Sequence, residues 1–257
     1  MFLFSTEVTS SKILSDNPLF QRTLKAYTLI ANKVHGDVLE IGCGEGYGLD
    51  IISRKSKSLT VIDKNKKVLK KIKRKYPNTS VLMQNITPSL KLNDNSFDVI
   101  VSFQVLEHIK DADAFIKEIH RVLKPDGIAY ITTPNSKKTI ARNPWHYKEY
   151  NYAEINSLIK KSFVDYKVAS IQGNKKTDEY YLKNKKSVEK ILRLDIFKIQ
   201  YLVPAALLKL PYEITNRINR KTLFKKNSTL VNNISLEDYS LGVYSQNTLD
   251  FFCVLKK

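Results

Sequence analysis

The stretch Val38-Leu39-Glu40-Ile41-Gly42-Cys43-Gly44-Glu45-Gly46-Tyr47-Gly48 decides how the rest of the chain is read. An apolar run suited to a buried strand meets four glycines at alternate positions, so a strand, a tight turn and a helix opening near Tyr47 are expected. Glycine tolerates positive φ and, lacking a Cβ, lets a ligand come close to the backbone. The helix start behind the turn offers N–H groups without intrahelical partners. A plain structural turn is the alternative for a lone Gly-x-Gly. Asp63 weighs against it, because it ends the next apolar run 21 residues beyond Gly42, where dinucleotide-binding folds place the acidic residue that holds a ribose. The dinucleotide spacing itself is not met, since it needs glycine where Tyr47 stands.

Outward from this turn the chain alternates. Asp16–Val34 has helical periodicity, residues 1–15 read as a loose lead-in, and strands are expected at Ser58–Asp63, Ser80–Gln84, Ser96–Ser102 and Ile128–Thr133. Helices are expected at Tyr47–Arg54, Lys64–Tyr76 and Asp111–Leu123, with a turn at Lys124-Pro-Asp-Gly127. Five strands alternating with helices imply an α/β, doubly wound, parallel sheet with right-handed crossovers. A helix at Tyr152–Ser162, a strand at Phe163–Ile171 and a last strand at Leu249–Leu255 make the expected sheet mostly parallel and seven-stranded. The division is then a lead-in over 1–34, a core over 35–172, a basic helical insertion over 173–247 and the final strand over 248–257. Within the insertion, Ile191–Leu210 reads as two short helices broken at Pro204, and Asn227–Asn233 as loop. Ligands on such sheets lie beyond the carboxyl ends of the strands, which are Gly42, Asp63, Asn85, Phe103 and Pro134.

Charge is uneven. The net charge is +18; Lys64–Lys75 carries eight basic residues and no acid, and Lys175–Lys226 carries fourteen basic and five acidic residues. Lysine outnumbers arginine 35 to 8, which suits a solvated face or a diffuse anionic partner better than a base-reading surface. The run at Lys64–Lys75 reads chiefly as the solvated face of a helix. Two cysteines, Cys43 and Cys253, are too few for a disulfide framework and are expected to be reduced, in a cytoplasmic setting. Met1–Glu7 has no basic leader region, and Ile199–Leu208 is about half the length of a membrane span.

Taken together, Val38–Gly48 with Asp63, Asn95-Ser-Phe-Asp-Val-Ile-Val101, Val105-Leu-Glu-His108 and Arg121-Val-Leu-Lys-Pro-Asp-Gly127 resemble the class I S-adenosylmethionine (SAM) dependent methyltransferases. The subgroup resembled includes quinone-biosynthesis and glycan-modifying enzymes. The resemblance implies a Rossmann-like methyltransferase fold with SAM as cofactor. It implies that Glu40 and the loop Gly42, Cys43, Gly44 and Gly46 cradle the methionine end and that Asp63 accepts from the ribose hydroxyls. Lys64, Asn85 and Ile86 would lie by the adenine, and Phe103 and Gln104 would border the methyl donor. Asn85 stands where the family often has an acid. Some relatives carry Glu-x-x-Glu-His before the fourth helix and bind a divalent metal; here Gln104 replaces the first carboxylate, so no metal is expected.

The loop Asn143-Pro-Trp-His-Tyr-Lys-Glu-Tyr150 resembles a pattern in the same subgroup and falls where this fold faces the acceptor. His146, with His108 near the cofactor, is the candidate for removing a proton from an acceptor hydroxyl, and Trp145, His146 and Tyr147 are the candidate acceptor contacts. The bland alternative is that Trp145 and Tyr150 pin the loop while Glu149 caps the next helix. The expected activity is O-methylation of a small-molecule, sugar or lipid-linked acceptor. A quinone or lipid-ring acceptor at an anionic membrane surface is the alternative. A nucleic-acid substrate is disfavoured, as is a SAM-binding scaffold without catalysis.

Overall fold

The computed structural model describes residues 9–193, 195 and 199–257. The expected lead-in over 1–15 therefore lies partly outside the described residues. An eight-stranded sheet runs in the order β3-β2-β1-β4-β5-β8-β6-β7. Its strands are β1 Asp37–Ile41, β2 Ser58–Asp63, β3 Ser80–Met83, β4 Phe97–Phe103, β5 Leu123–Pro134, β6 Asp165–Gly173, β7 Tyr239–Gly242 and β8 Thr248–Lys256. The first five pair in parallel, while β8 is antiparallel to both β5 and β6. The sequence reading of seven strands is corrected by β7, a four-residue edge strand inside the insertion that pairs antiparallel with β6.

Alternate residues of the central strands feed two cores. Val38, Val99, Val101 and Phe103 pack on one face with Tyr27 and Ile30 of α1 (Asn17–Ile30). Leu39, Ile41 and Ile100 pack on the other with Phe115 and Ile119 of α4 (Ala112–Val122). Apolar residues on both faces of a strand are what a sheet covered by helices on each side requires. The helices α2 (Leu49–Ile52), α3 (Lys66–Lys75) and α5 (Tyr152–Ile159) fall within the expected ranges. Asn65 caps α3 by accepting from the N–H groups of Lys67 and Val68, and a Glu154–Asn151 capping box opens α5. Glu149 does not cap that helix.

The expected turn Lys124–Gly127 is absorbed into β5 as an irregularity in its pairing with β4. The positive φ there belongs to Asp126, at 63°, and Gly127 is small for another reason: a Cβ would lie 2.8 Å from the Lys124 carbonyl oxygen.

The insertion forms α6 (Lys175–Leu192), α7 (Ile199–Leu202), α8 (Ala205–Lys226) and α9 (Ser228–Asn232). Ile191 and Leu192 belong to α6, and Pro204 is the N-cap of a helix that runs on through Lys226. Where it is described, the stretch Ile191–Leu210 expected as two short helices is the end of one long helix, a single turn and the start of another, with residues 194 and 196–198 outside the described residues. The Asn-rich stretch expected as loop holds α9. Asp16, fully buried just before α1, accepts from Arg217 at 2.8 Å and Arg220 at 3.1 Å, so the segment before α1 is tied to α8.

Candidate functional site

A cavity of about 1250 Å³ lies over the carboxyl ends of the parallel strands. One wall is the glycine loop and the strand ends: Gly42, Cys43, Gly44, Asp63, Lys64, Asn85, Ile86, Phe103 and Gln104 all line it. Glu40 and Gly46, expected in the same cradle, do not line it. Gly46 packs over Ile72 and Leu49, and Glu40 is buried beneath the loop.

Gly42, Gly44 and Gly46 have φ of 76°, 53° and 79°, the left-handed region that favours glycine. Bareness has a second use in this loop. A Cβ on Gly42 would lie 2.4 Å from Val105 Cγ2, and one on Gly48 would lie 2.1 Å from the Tyr27 ring. These glycines admit protein side chains as well as any ligand. Gln104 is a non-glycine residue with φ of 58°. Its backbone donates to the Thr132 carbonyl and its amide to Thr132 Oγ1, so β5 holds a strained residue at the end of β4.

Glu40 accepts from the Tyr27 hydroxyl at 2.5 Å through Oε1, while Oε2 is buried with no partner among the described residues. Desolvation and the nearby Asp63 push its pKa up to about 7, against the opposing Tyr27 bond. Asp63 Oδ1 accepts from the Asn65 N–H at 2.7 Å, and Cys43 Sγ lies 3.6 Å from Oδ2. An orphaned buried acceptor, an acidic strand end and a left-handed glycine loop suit a cationic amino acid joined to a ribose. These residues fit SAM.

The facing wall carries the candidate chemistry. His108, in the short 3-10 turn Leu106–His108, places Nδ1 3.0 Å from the Trp145 carbonyl. A carbonyl only accepts, so Nδ1 carries the hydrogen and the lone pair is on Nε2. The His146 ring meets His108 edge-on, with centroids 4.8 Å apart. His146 Nδ1 lies 2.5 Å from Glu149 Oε1 and Nε2 lies 2.8 Å from Asn143 Nδ2. Asn143 Oδ1 accepts from the Trp145 N–H, and Thr139 donates to Glu149. That chain of bonds makes Nδ1 of His146 the donor and gives its Nε2 lone pair to Asn143. The expectation that His146 itself takes the acceptor's proton therefore meets an obstacle the sequence did not show: both ring nitrogens are engaged inside the loop.

Glu107, 1% exposed, accepts from Thr133 Oγ1 at 3.0 Å, and burial raises its pKa to about 7. Its ligand atom and those of His108 and His146 lie within 4.8 Å of one another. The expectation of no metal was drawn from the short motif alone; the fold adds a second imidazole from a loop 38 residues away. One carboxylate and two imidazoles would suit a mid-row divalent ion better than magnesium. The engagement of His146 by Asn143 and Glu149 opposes that use of the cluster.

Among the expected acceptor contacts, His146 and Tyr147 line the cavity and Trp145 does not. The Trp145 ring instead lies under the Lys209 ammonium, 3.9 Å from its centroid, and so joins the loop to α8. Tyr150 is buried and pins the loop to the sheet, pairing with Asn135.

Several lining residues escaped the sequence reading. Arg22 forms a buried ion pair with Asp250 at 3.0 Å and donates to the Tyr181 hydroxyl. Arg142 donates to the Gln200 and Val203 carbonyls. Tyr181, Tyr212 and Arg220 come from the insertion. No local motif marks these positions, because each is brought to the cavity by contacts more than 50 residues apart in sequence, such as the Arg22–Asp250 and Arg142–Gln200 pairs.

This sheet order, with β8 inserted antiparallel between β5 and β6 and a nucleoside-fitting loop after β1, defines a Rossmann-like methyltransferase fold. Residues 39–131 match the family model described as a methyltransferase domain. Over that stretch the chain is similar to SAM-dependent methyltransferases, and this similarity indicates SAM as the cofactor. It is 35% identical over 160 residues to a "Probable S-adenosylmethionine-dependent methyltransferase" of Mycolicibacterium smegmatis, covering 60% of this chain and 62% of the relative. The chain thus spans about three fifths of that relative's length. It is 34% identical over 100 residues to a ubiquinone biosynthesis O-methyltransferase of Pelagibacter ubique, covering 38% of this chain and 42% of that one. A SAM-dependent methyltransferase from Thermotoga maritima superposes with a TM-score of 0.58 at 14% identity, covering 95% of this chain and 91% of that chain, which speaks for the fold.

Proposed function

We propose that the protein is a SAM-dependent O-methyltransferase acting on a hydroxyl-bearing acceptor, a sugar or a ring. The observation that carries this is His108. Its Nδ1–H is donated to the Trp145 carbonyl, which puts the ring's lone pair on Nε2, and the residue lines the cavity together with Phe103 and Gln104. SAM, when bound, supplies a methyl group already activated on a sulfonium. The work left to the chain is alignment, worth on the order of 7–11 kcal/mol, and acceptance of one proton, worth roughly 10²–10⁴-fold. Gly42–Gly44, Asp63 and Ile86 hold the cofactor, and Gln104, fixed by Thr132, shapes the wall between the two halves. His108 Nε2 takes the acceptor proton. His146, held at both nitrogens, keeps the 143–149 loop and the His108 ring in place, so it is a positioning residue.

The cavity volume exceeds the usual 300–1,000 Å³ of small-ligand pockets, which supports an acceptor of substantial size beside the cofactor. A quinone or other lipid-ring acceptor is the second reading, favoured by the similarity to the ubiquinone biosynthesis enzyme. Incubation of the protein with methyl-labelled SAM and glycan, lipid and RNA fractions tests both. Label in the glycan or lipid fraction at a base-stable ether is expected, and label confined to RNA would overturn the reading.

A further inference from the structure

Among the described residues, the outer face of α7 and α8 is left uncovered. Leu207, Leu210, Ile214 and Ile218 are 69%, 57%, 41% and 58% exposed. Their spacing of three and four residues puts them on one face of the helix. Lys221 and Lys225, both exposed, continue the same face by the same spacing. Tyr201 and Leu202 of α7 add exposures of 61% and 76% beside its start. The opposite face of α8 is not free: Leu208, Tyr212 and Asn219 line the cavity, and Leu223 is buried. An amphipathic helix that spends one face on a cavity and presents a second apolar stripe to solvent marks an interaction surface.

Charge selects the occupant. The segment Lys175–Lys226 holds fourteen basic and five acidic residues. A second copy would bring like charge against like, whereas an anionic bilayer is complementary to an apolar stripe ending in lysines. No helix among the described residues is long and apolar enough to cross a membrane, so the helix would lie in the interface plane. The cavity wall supports the same arrangement. Along α6 the lining passes from Tyr181 and Asn184 to Val188, Ile191 and Leu192. Its apolar end is the end from which the chain runs on to α7.

We infer that the α7–α8 face docks on an anionic lipid bilayer and that the acceptor is an amphiphile drawn from it, head in the polar part of the cavity and tail at the apolar end. The docking rests on the surface alone; the lipid acceptor rests on the methyltransferase reading above.

Flotation of the whole protein with phosphatidylglycerol–phosphatidylcholine vesicles and with phosphatidylcholine vesicles separates the terms. Binding to the anionic vesicles, reduced by high salt, is expected. Leu210→Ser with Ile214→Ser should weaken it at least tenfold, and Lys221→Glu with Lys225→Glu by about tenfold or more. S-adenosylhomocysteine binding, measured by calorimetry on the same samples, should be unchanged in both variants, which shows that they are folded. Absence of wild-type vesicle binding, or binding that survives both variants, overturns the docking. So does a concentration-dependent dimer by light scattering that Leu210→Ser with Ile214→Ser dissolves. Vesicle binding without S-adenosylhomocysteine binding would instead defeat the methyltransferase reading and leave the docking standing.

Discussion

The two walls of the cavity are made differently. The cofactor wall is a run of strand ends within residues 42–104, each positioned by its own strand. The facing wall, which the proposed function gives to the acceptor, is assembled from the Leu106–His108 turn, α1, the 134–149 loop and the insertion, which meet through long-range pairs such as Arg22–Asp250, Arg142–Gln200 and Asp16–Arg217. The first wall depends on backbone geometry and tolerates change in most side chains around it. The second depends on individual buried polar contacts, so single substitutions should damage it without touching cofactor binding.

The largest expected effect is on that second wall. His108→Ala should lower the methyl-transfer rate by roughly 10²–10⁴-fold with S-adenosylhomocysteine affinity unchanged. His146→Gln should cost less, about tenfold, if it only holds the loop. Equal losses in steady-state kinetics would mean that His146 is itself the proton acceptor. Asp16→Ala leaves Arg217 and Arg220, both largely shielded from solvent, without their carboxylate. A loss of about 3–5 kcal/mol in denaturant unfolding is expected. A change below 1 kcal/mol would show that α8 is not anchored there.

On the cofactor wall, Asp63→Ala should cost about 1.5–3 kcal/mol in S-adenosylhomocysteine affinity by calorimetry, the worth of a hydrogen bond to a charged group. The rate at saturating cofactor should change much less. A wild type that binds no S-adenosylhomocysteine would refute the cofactor wall altogether.

The smallest effect concerns Glu40. Its folded pKa, about 7, lies above the ordinary 4.5. Between these values the folded protein holds a proton that the unfolded chain has lost, so the contribution of Glu40 to stability falls as pH rises from 4.5 through 7. A cationic ligand group favours the ionised carboxylate. Cofactor binding should therefore release a proton below pH 7 and tighten as pH rises. Calorimetry in buffers of different ionisation enthalpy measures this, and Glu40→Gln should abolish it. A proton count that Glu40→Gln leaves unaltered would assign the proton elsewhere.

The legibility of the two walls follows the same division. Val38–Gly48, Asp63 and Phe97–Phe103 could be read because strand, turn and ligand-facing residue are adjacent in sequence, and local periodicity carries the information. Glu40 and Gly46 were expected to touch the ligand for that same local reason. In the structure Glu40 lies behind the loop with Oε1 held by the Tyr27 hydroxyl, and Gly46 packs against Ile72, so neither lines the cavity itself. The acceptor loop could be found but not resolved: its residues were identified, while the Asn143–His146–Glu149 chain of bonds and the Trp145–Lys209 contact were not. Edge strand β7 was missed because Tyr239–Gly242 is too short to show a period.

What the sequence determined by itself is the alternation of strand and helix, the glycine turn after β1, the acidic end of β2 and hence the cofactor half. These rest on steric and periodic rules that act over a few residues. The tertiary structure decided which ring nitrogen of His108 donates to the Trp145 carbonyl and which cations are already paired. It also decided that one face of α8 closes the cavity while the other is left to solvent. Those outcomes depend on which distant groups arrive within hydrogen-bonding or van der Waals reach, and only the packed chain brings them there.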